Sequence, residues 1–323
     1  MAVEREPEVR EHVDLVAEGR VDPRALGWSR GALHRCVVPG PWGRRKRWHH
    51  WCVTSDAEAL AITVLDADVL TAAIVSSIDR SARRAVKEVG VRSGGLGEMP
   101  ERADRGAIDV RAGRVRVTVE DVGERIAIRA RSPRVDADVE VHRPASHDTL
   151  GVATAWPGTG GARYAYSSKQ TGLPARGRTR VEGRAAPIAD GARACLDWGR
   201  GVWPSRTSWN WASASGEVDG HAVGLNLGAR WTHDVTENAV LVDGRMEKIH
   251  GDVRFEWDRA EPRRAWRLRG RGVDLALEPE VIEGARVPLV GRLCIAFGVF
   301  RGEAQGVSFD GVFGWAEELS VRW

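Results

Sequence analysis

Apolar and polar residues alternate along most of the chain, with the period of two that is typical of half-buried β-strands. The clearest example lies within residues 108–131, where three alternating runs are joined by Ala112-Gly113 and by a DVGE turn. Similar runs recur at residues 222–227, 239–242, 253–257, 265–268, 273–277 and 293–300. Helical periodicity is almost absent, and the best helix prediction is the short segment 81–89.

These short strands and the 37 glycines predict an all-β fold, a barrel or a sandwich. A length of 323 residues is more than one ordinary core needs and suits two domains. Residues 172–193 are rich in Gly, Pro and Arg, and seven of the fourteen tryptophans lie between Trp198 and Trp266. We therefore predict an N-terminal β-barrel domain over 1–185 and a C-terminal one over 186–323.

The composition narrows the class of partner. Hydrophobic residues make up 42% and charged residues 29% of the chain, as in soluble globular proteins, and a net charge of +3 does not favour nucleic acid. The N-terminus is charged and lacks the apolar core of a signal peptide, and no apolar run approaches the length of a bilayer span. The four cysteines form no CxxC pair and are expected as free thiols. We expect a cytoplasmic protein with no integral membrane segment and no nucleic-acid partner.

Two tryptophans form the strongest candidate for a binding surface. Trp209 and Trp211 are two residues apart, so on a strand they face the same side. They pack into a barrel core, or they form one wall of a cavity for a hydrophobic or cationic ligand. The second interpretation predicts an indole-lined hollow inside the later half of the chain.

Asp197 is the first candidate for chemistry, because it directly precedes Trp198-Gly199. A carboxyl group among apolar side chains loses solvation and stays protonated near neutrality. It could then donate a proton to an alkene, and neighbouring indole faces would stabilise the resulting cation. The alternative is that Asp197 caps the turn through backbone amides.

The loop at residues 231–239 carries His233, Asp234, Glu237 and Asn238. Loops at the mouth of a barrel often hold binding residues, although a solvated polar loop gives the same pattern. The spacing matches no metal-ligand motif, and we predict no metal site.

Residues 46–51, KRWHHW, mix basic and aromatic side chains. On a strand, Trp48 and Trp51 face opposite sides, so neither face offers the stacked tryptophans that single-stranded nucleic acid requires. Trp48 remains a candidate ligand contact. The chain has no GxGxxG, P-loop, HExxH or GxSxG motif, and we predict no cofactor.

Three stretches carry a family resemblance: A-x-L-D-W-G at 194–199, S-W-N-W-A-S-A-S-G at 208–216, and D-G-H-A-V-G-L-N-L-G-A-R at 219–230. They resemble the C-terminal lipocalin-like domain of carotenoid 1,2-hydratase (hydroxyneurosporene synthase) proteins, as does the ending 311–317. Trp203-Pro204 is similar to a stretch of tocopherol cyclase. Over nearly its full length the chain resembles the bacterial domain-of-unknown-function 2804 family, on residues 27–30, 46–48, 236–239 and 322–323.

The resemblance implies two tandem lipocalin-like (calycin-type) antiparallel β-barrels with few short helices, and an apolar, isoprenoid-like ligand. Asp197 matches a candidate acid of the hydratases, whereas Asn210 replaces an aspartate between their paired tryptophans. That difference bears on the reaction and not on the fold.

These observations lead to three functional hypotheses. The first is a cofactor-independent hydratase, cyclase or isomerase that acts on a small hydrophobic molecule. The second is a carrier of such a molecule without chemistry, and the third is a carbohydrate-binding or carbohydrate-active protein, in which two acids would face an open cleft. The predicted catalytic residues are Asp197 and Glu237, and the predicted ligand contacts are Trp48, Trp198, Trp203, Trp209, Trp211, Asn226 and Asn238. The oligomeric state is left open.

Overall fold

A computed structural model describes residues 5–287 and 291–322. Residues 1–4, 288–290 and 323 lie outside this description, including Trp323 of the family resemblance. The strands of the first half are β1 (Val13–Asp14), β2 (Val16–Ala17), β3 (Arg20–Val21), β4 (Gly27–Ser29), β5 (His34–Arg35), β6 (Arg45–Thr54), β7 (Glu58–Asp66), β8 (Leu70–Asp79), β9 (Arg84–Ser93), β10 (Gly106–Ala112), β11 (Val115–Asp121), β12 (Arg125–Arg131), β13 (Val135–His142), β14 (Leu150–Ala155), β15 (Tyr164–Val181), β16 (Arg184–Pro187) and β17 (Arg193–Val202). Those of the second half are β18 (Arg206–Val218), β19 (His221–Ala229), β20 (Ala239–Val242), β21 (Arg245–Lys248), β22 (Val253–Glu256), β23 (Trp266–Gly270), β24 (Val273–Val287), β25 (Gly291–Ala304), β26 (Val307–Ser308) and β27 (Phe313–Arg322).

The first large sheet has the order β10-β11-β12-β13-β15-β17-β6-β7-β8-β9, with antiparallel pairing throughout. The long strand β15 changes register between Gln170 and Leu173, so one part pairs with β17 and the other with β13. The two ends of the sheet meet, since β10 and β11 pack against β8 and β9. The sheet therefore curls into a nearly closed barrel around an apolar core that includes Ile62, Val117 and Ile128.

The second large sheet has the order β21-β20-β19-β18-β27-β25-β24-β23-β22. It curls into a half-barrel whose concave side holds a separate apolar cluster that includes Leu225, Trp266 and Phe300. The prediction of an all-β fold with two tandem lipocalin-like antiparallel β-barrels is confirmed, with the second sheet closing only as far as a half-barrel.

The helix predicted at residues 81–89 is wrong. These residues form a turn followed by β9, which pairs with β8 along its whole length. Val86 is buried while Arg84 is exposed, so tertiary pairing decides the structure of a segment with helix-favouring residues. Within the described residues, helix is limited to the 3₁₀ turn Pro23–Ala25, and no helix there is long and apolar enough to cross a bilayer.

The first sheet extends beyond residue 185, where the domain boundary was predicted. β17 lies between β15 and β6, and the second sheet begins with β18. Within the Gly- and Pro-rich stretch 172–193, residues 178–181 of β15 pair with β16 in a hairpin. The chain changes sheets at residues 203–205.

Candidate functional site

A cavity of about 230 Å³ lies between the two sheets. Its walls are the outer faces of β6, β7, β8, β9, β15 and β17 on one side and of β18, β24, β25 and β27 on the other. The hollow predicted inside the later half of the chain is wrongly placed, because packed side chains such as Leu275 and Phe300 fill the concave side of that sheet.

Strand alternation explains why this cavity is rich in tryptophan. In β18, Trp209 and Trp211 face the first sheet, whereas Ala212 and Ala214 pack into the core of the second. A strand face that turns away from its own core must be covered by another surface if it carries large apolar groups. The outer face of the first sheet supplies that cover.

The aromatic wall consists of indoles in mutual contact. The ring of Trp203 lies 5.4 Å from Trp48, 5.9 Å from Trp209 and 5.8 Å from Trp231, measured between centroids. The wall depends on a glycine, because a Cβ atom at Gly199 would lie 2.0 Å from Cζ2 of Trp48. The second wall is formed by Trp211 and Trp315, with rings 5.1 Å apart, and Phe297 packs beside them.

An ion-pair cluster occupies the polar side of the cavity. Lys169 of β15 places its Nζ 3.0 Å from Oδ1 of Asp197, 3.4 Å from Oε2 of Glu237 and 4.0 Å from the centre of the Trp211 ring. Burial lowers the pKa of Lys169, but attraction to the two carboxylates outweighs it and holds that pKa above its usual value. Asp197 also accepts a hydrogen bond from the hydroxyl group of Ser167. Asp197 is therefore the partner of a buried ammonium group.

Glu237 enters the cavity from the loop between β19 and β20. Its Oε1 accepts a 2.8 Å hydrogen bond from the indole of Trp231, and a Cβ atom at Gly228 would lie 2.0 Å from the same oxygen. Burial raises the pKa of Glu237 above its usual value, although Lys169 opposes this. Gly228 thus makes room for the carboxyl group of Glu237, which holds its proton more tightly than a carboxyl group in water.

Glu6, in the N-terminal segment, anchors the loop between β19 and β20. Glu6 accepts hydrogen bonds from the backbone N–H and the hydroxyl group of Thr236, at 3.0 and 2.8 Å, and pairs with Nζ of Lys248 at 2.7 Å. Because Thr236 directly precedes Glu237, this anchor holds the part of the loop backbone that carries Glu237.

Glu317 is the second acid with a perturbed environment. It lies on β27, and its Oε1 accepts a 2.8 Å hydrogen bond from the indole of Trp209. Burial raises the pKa of Glu317 to about 7, although the bond from Trp209 opposes the shift. A carboxyl group with this pKa carries a transferable proton at neutral pH.

His50 of β6 completes the polar side. Its Nδ1 lies 2.7 Å from the hydroxyl oxygen of Thr63, and its ring meets Trp211 and Trp315 edge to face. Burial lowers the pKa of His50 to about 4, so the ring is neutral at pH 7. It adds a polar group to the cavity without adding charge.

The structure brings together only part of the predicted site. Asp197, Glu237, Trp48, Trp203, Trp209 and Trp211 line the cavity. Trp198 lies on the opposite face of β17, fully buried in the first core, with the Arg200 guanidinium over its ring. Asn226 and Asn238 sit behind the wall: Asn226 accepts a 2.8 Å bond from the Trp211 indole, and Asn238 accepts one from the N–H of Gly228.

Sequence reasoning missed Lys169, Glu317, His50, Trp231 and Trp315 as lining residues. Alternation could have found Glu317, because it stands two residues after Trp315 on one strand. No local signal marks Lys169, whose partners come from other elements. Among the described residues, no group of three His, Cys, Asp or Glu side chains has the arrangement of a metal site.

The sequence matches the model of a known protein family over almost its whole length. The model of the family "Domain of unknown function (DUF2804)" matches residues 6–323. No curated protein matches the sequence significantly.

Solved structures that share the fold include the following three. A protein of Nitrosomonas europaea assigned as AttH is 15% identical, with a TM-score of 0.58 over 89% of this chain and 99% of that one. Kievitone hydratase of Nectria haematococca is 13% identical, with a TM-score of 0.54 over 86% and 88%. CghA, solved with Sch210972, is 12% identical, with a TM-score of 0.57 over 89% and 94%. At these identities the similarity shows the fold alone.

Proposed function

Since the chain belongs to the DUF2804 family, whose description assigns no activity, we propose a function from the cavity between the sheets. The protein binds a compact, largely apolar molecule there and transfers a proton to it without a cofactor, as a hydratase, cyclase or isomerase. The observation that carries this proposal is the position of Glu317, an acid with a pKa of about 7, in a tryptophan-lined cavity.

The cavity volume limits the size of the ligand. An apolar protein cavity of about 150 Å³ is enough to hold benzene. A cavity of about 230 Å³ therefore accommodates a single ring with a short side chain, such as one prenyl unit, but does not enclose a long polyene. The walls are indole and aliphatic groups, so most of the ligand surface is apolar.

The reaction follows from the positions of the acids. Glu317 donates its proton to an alkene carbon, and the carbocation that forms lies against the indole faces of Trp209 and Trp211. Water adds to the cation and loses a proton to the Glu317 carboxylate, which restores the acid and leaves an alcohol. An internal hydroxyl group that adds in the same way gives a ring. Asp197 and Glu237, both paired with Lys169, orient the nucleophile.

The solved neighbours support this proposal at the level of fold only. One is named kievitone hydratase, and CghA was solved with Sch210972, so the fold is shared with a protein named as a hydratase.

We test the proposal with 2-prenylphenol, which has one ring and one trisubstituted alkene. Protonation of its alkene leads to a tertiary alcohol with water or to 2,2-dimethylchroman by internal closure, and both are separated by chromatography and mass spectrometry. We expect the protein to form one of them and its tryptophan fluorescence to be quenched on binding. The substitution Leu65→Trp places a larger side chain in the cavity beside Trp48. It is expected to abolish both product formation and fluorescence quenching.

The matched control is Val89→Trp, which adds the same indole at an exposed position of β9 and is expected to change neither signal. Fluorescence quenching without product formation between pH 5 and 8 would contradict the catalytic proposal. It would indicate that the protein carries the molecule without transforming it. Equal quenching by wild type and Leu65→Trp would place the ligand outside this cavity.

A further inference from the structure

We infer that the cavity between the sheets binds stable organic cations, specifically a quaternary ammonium group attached to a single aromatic ring. The inference deepens the proposed function, on which it rests, because the ammonium group would occupy the place of the carbocation. It concerns equilibrium binding, however, and can be tested without a substrate or a reaction.

The first support is the balance of charge on the polar side of the cavity. Asp197, Glu237 and Glu317 face it, and Lys169 is the one cation that the described residues place among them. A further carboxylate, Glu283, lines another part of the cavity but is paired with Lys87 at 3.4 Å. When all three acids are ionised, the polar side carries excess negative charge in a region of low dielectric constant, where a cation is strongly favoured.

The second support is the geometry around Lys169 itself. Its Nζ lies 4.0 Å from the centre of the Trp211 ring, within the range of a cation–π contact. The neighbouring indoles of Trp209 and Trp315 also line the cavity, and Phe297 lies beside Trp315. The site already holds one ammonium group by a combination of carboxylates and aromatic faces, the combination that recognises quaternary ammonium ligands.

The third support is an oxygen atom without a hydrogen bond. Glu237 is only 1% exposed, and within the described part of the chain its Oε2 accepts no hydrogen bond, with the Lys169 ammonium group 3.4 Å away. Buried carboxylate oxygens are usually satisfied, so this atom has attraction left for a ligand. A quaternary ammonium group has no N–H to donate. Its attraction to this carboxylate oxygen is therefore purely electrostatic and does not depend on the geometry of a hydrogen bond.

The test compares two isosteric probes, benzyltrimethylammonium and neopentylbenzene, which differ in one nitrogen for one carbon and in a permanent charge. Binding is followed by the quenching of tryptophan fluorescence. At pH 8 we expect the cation to bind about tenfold more tightly than the hydrocarbon, or better. The substitution Glu237→Gln keeps the acceptor for Trp231 and should reduce this preference while binding of the hydrocarbon persists. The control Glu303→Gln, at an exposed position of β25, should leave it unchanged.

The pH dependence gives a second readout. The charge of the probe is permanent, so any change between pH 6 and pH 8 belongs to the protein. Glu317 faces Lys169 of β15, Asp197 of β17, Glu237 of the loop and His50 of β6. As Glu317 loses its proton over this range, affinity for the cation should rise several-fold, and Glu317→Gln should flatten the rise.

Equal affinity for the two probes, or tighter binding of the hydrocarbon, would overturn the inference and leave the proposed function standing. If neither probe quenches the fluorescence, the cavity is not a ligand site. That result would contradict both the inference and the proposed function.

Discussion

Glu317→Gln is expected to lower the turnover of 2-prenylphenol about 10²–10⁴-fold, the usual contribution of a general acid. Glutamine keeps the size of the side chain and an oxygen that accepts the bond from the Trp209 indole, but it has no proton to transfer. Binding of 2-prenylphenol, followed by fluorescence quenching, should change little. The control Glu303→Gln should retain full activity, and full activity in Glu317→Gln would rule out this acid.

The same substitution should stabilise the protein at alkaline pH. The pKa of Glu317 rises from 4.5 to about 7 on folding, so between these values the native state binds a proton that the unfolded state has lost. The free energy of unfolding therefore falls as pH rises through this window. At pH 8 the loss in the free energy of unfolding reaches about 3 kcal/mol, because each unit between the two pKa values corresponds to about 1.36 kcal/mol. Glu317→Gln removes this loss. Urea denaturation should show the variant more stable at pH 8 and equal to wild type near pH 4.

Lys169→Met is expected to have the largest effect on stability. It removes the ammonium group that lies 3.0 Å from Asp197 and 3.4 Å from Glu237, and it leaves the buried carboxyl group of Glu237 and the partly buried one of Asp197 without their partner. Breaking a buried pair in this way typically costs about 3–5 kcal/mol. The loss should be greatest at pH 8 and smaller at pH 5, because Glu237 can then take up a proton. The measurement is the free energy of unfolding in urea at both pH values.

A double substitution serves as the control for this result. Lys169→Met with Glu237→Gln removes one of the stranded carboxyl groups and should recover part of the lost stability, whereas independent sites would give additive losses. A loss below about 1 kcal/mol in Lys169→Met, with no dependence on pH, would show that the cluster is hydrated and not part of a dry cavity.

Alternation predicted the strands well because it is a local property. Residues 108–131 form the hairpins of β10, β11 and β12, as their pattern indicates. Residues 81–89 show the limit of this reasoning, since their side chains favour a helix and only the pairing with β8, set by the whole sheet, makes them a strand.

The location of the site was harder to predict, for a related reason. Alternation says that Trp209 and Trp211 share a face, but it does not say whether that face meets its own core or another sheet. Which face is inside depends on how β18 pairs with β19 and β27, and this is a long-range property. Lys169 and Glu237 come from a strand of the first sheet and a loop of the second, so no spacing in the sequence links them.

The most direct measurement is the position of a bound ligand in a crystal of the protein soaked with 4-bromo-2-prenylphenol, whose bromine is located by its anomalous scattering. We predict one strong bromine peak between the two sheets, beside Trp203 and Trp209 and within reach of Glu317. A peak on the concave side of the second sheet, or on the outer surface alone, would contradict a ligand site between the sheets.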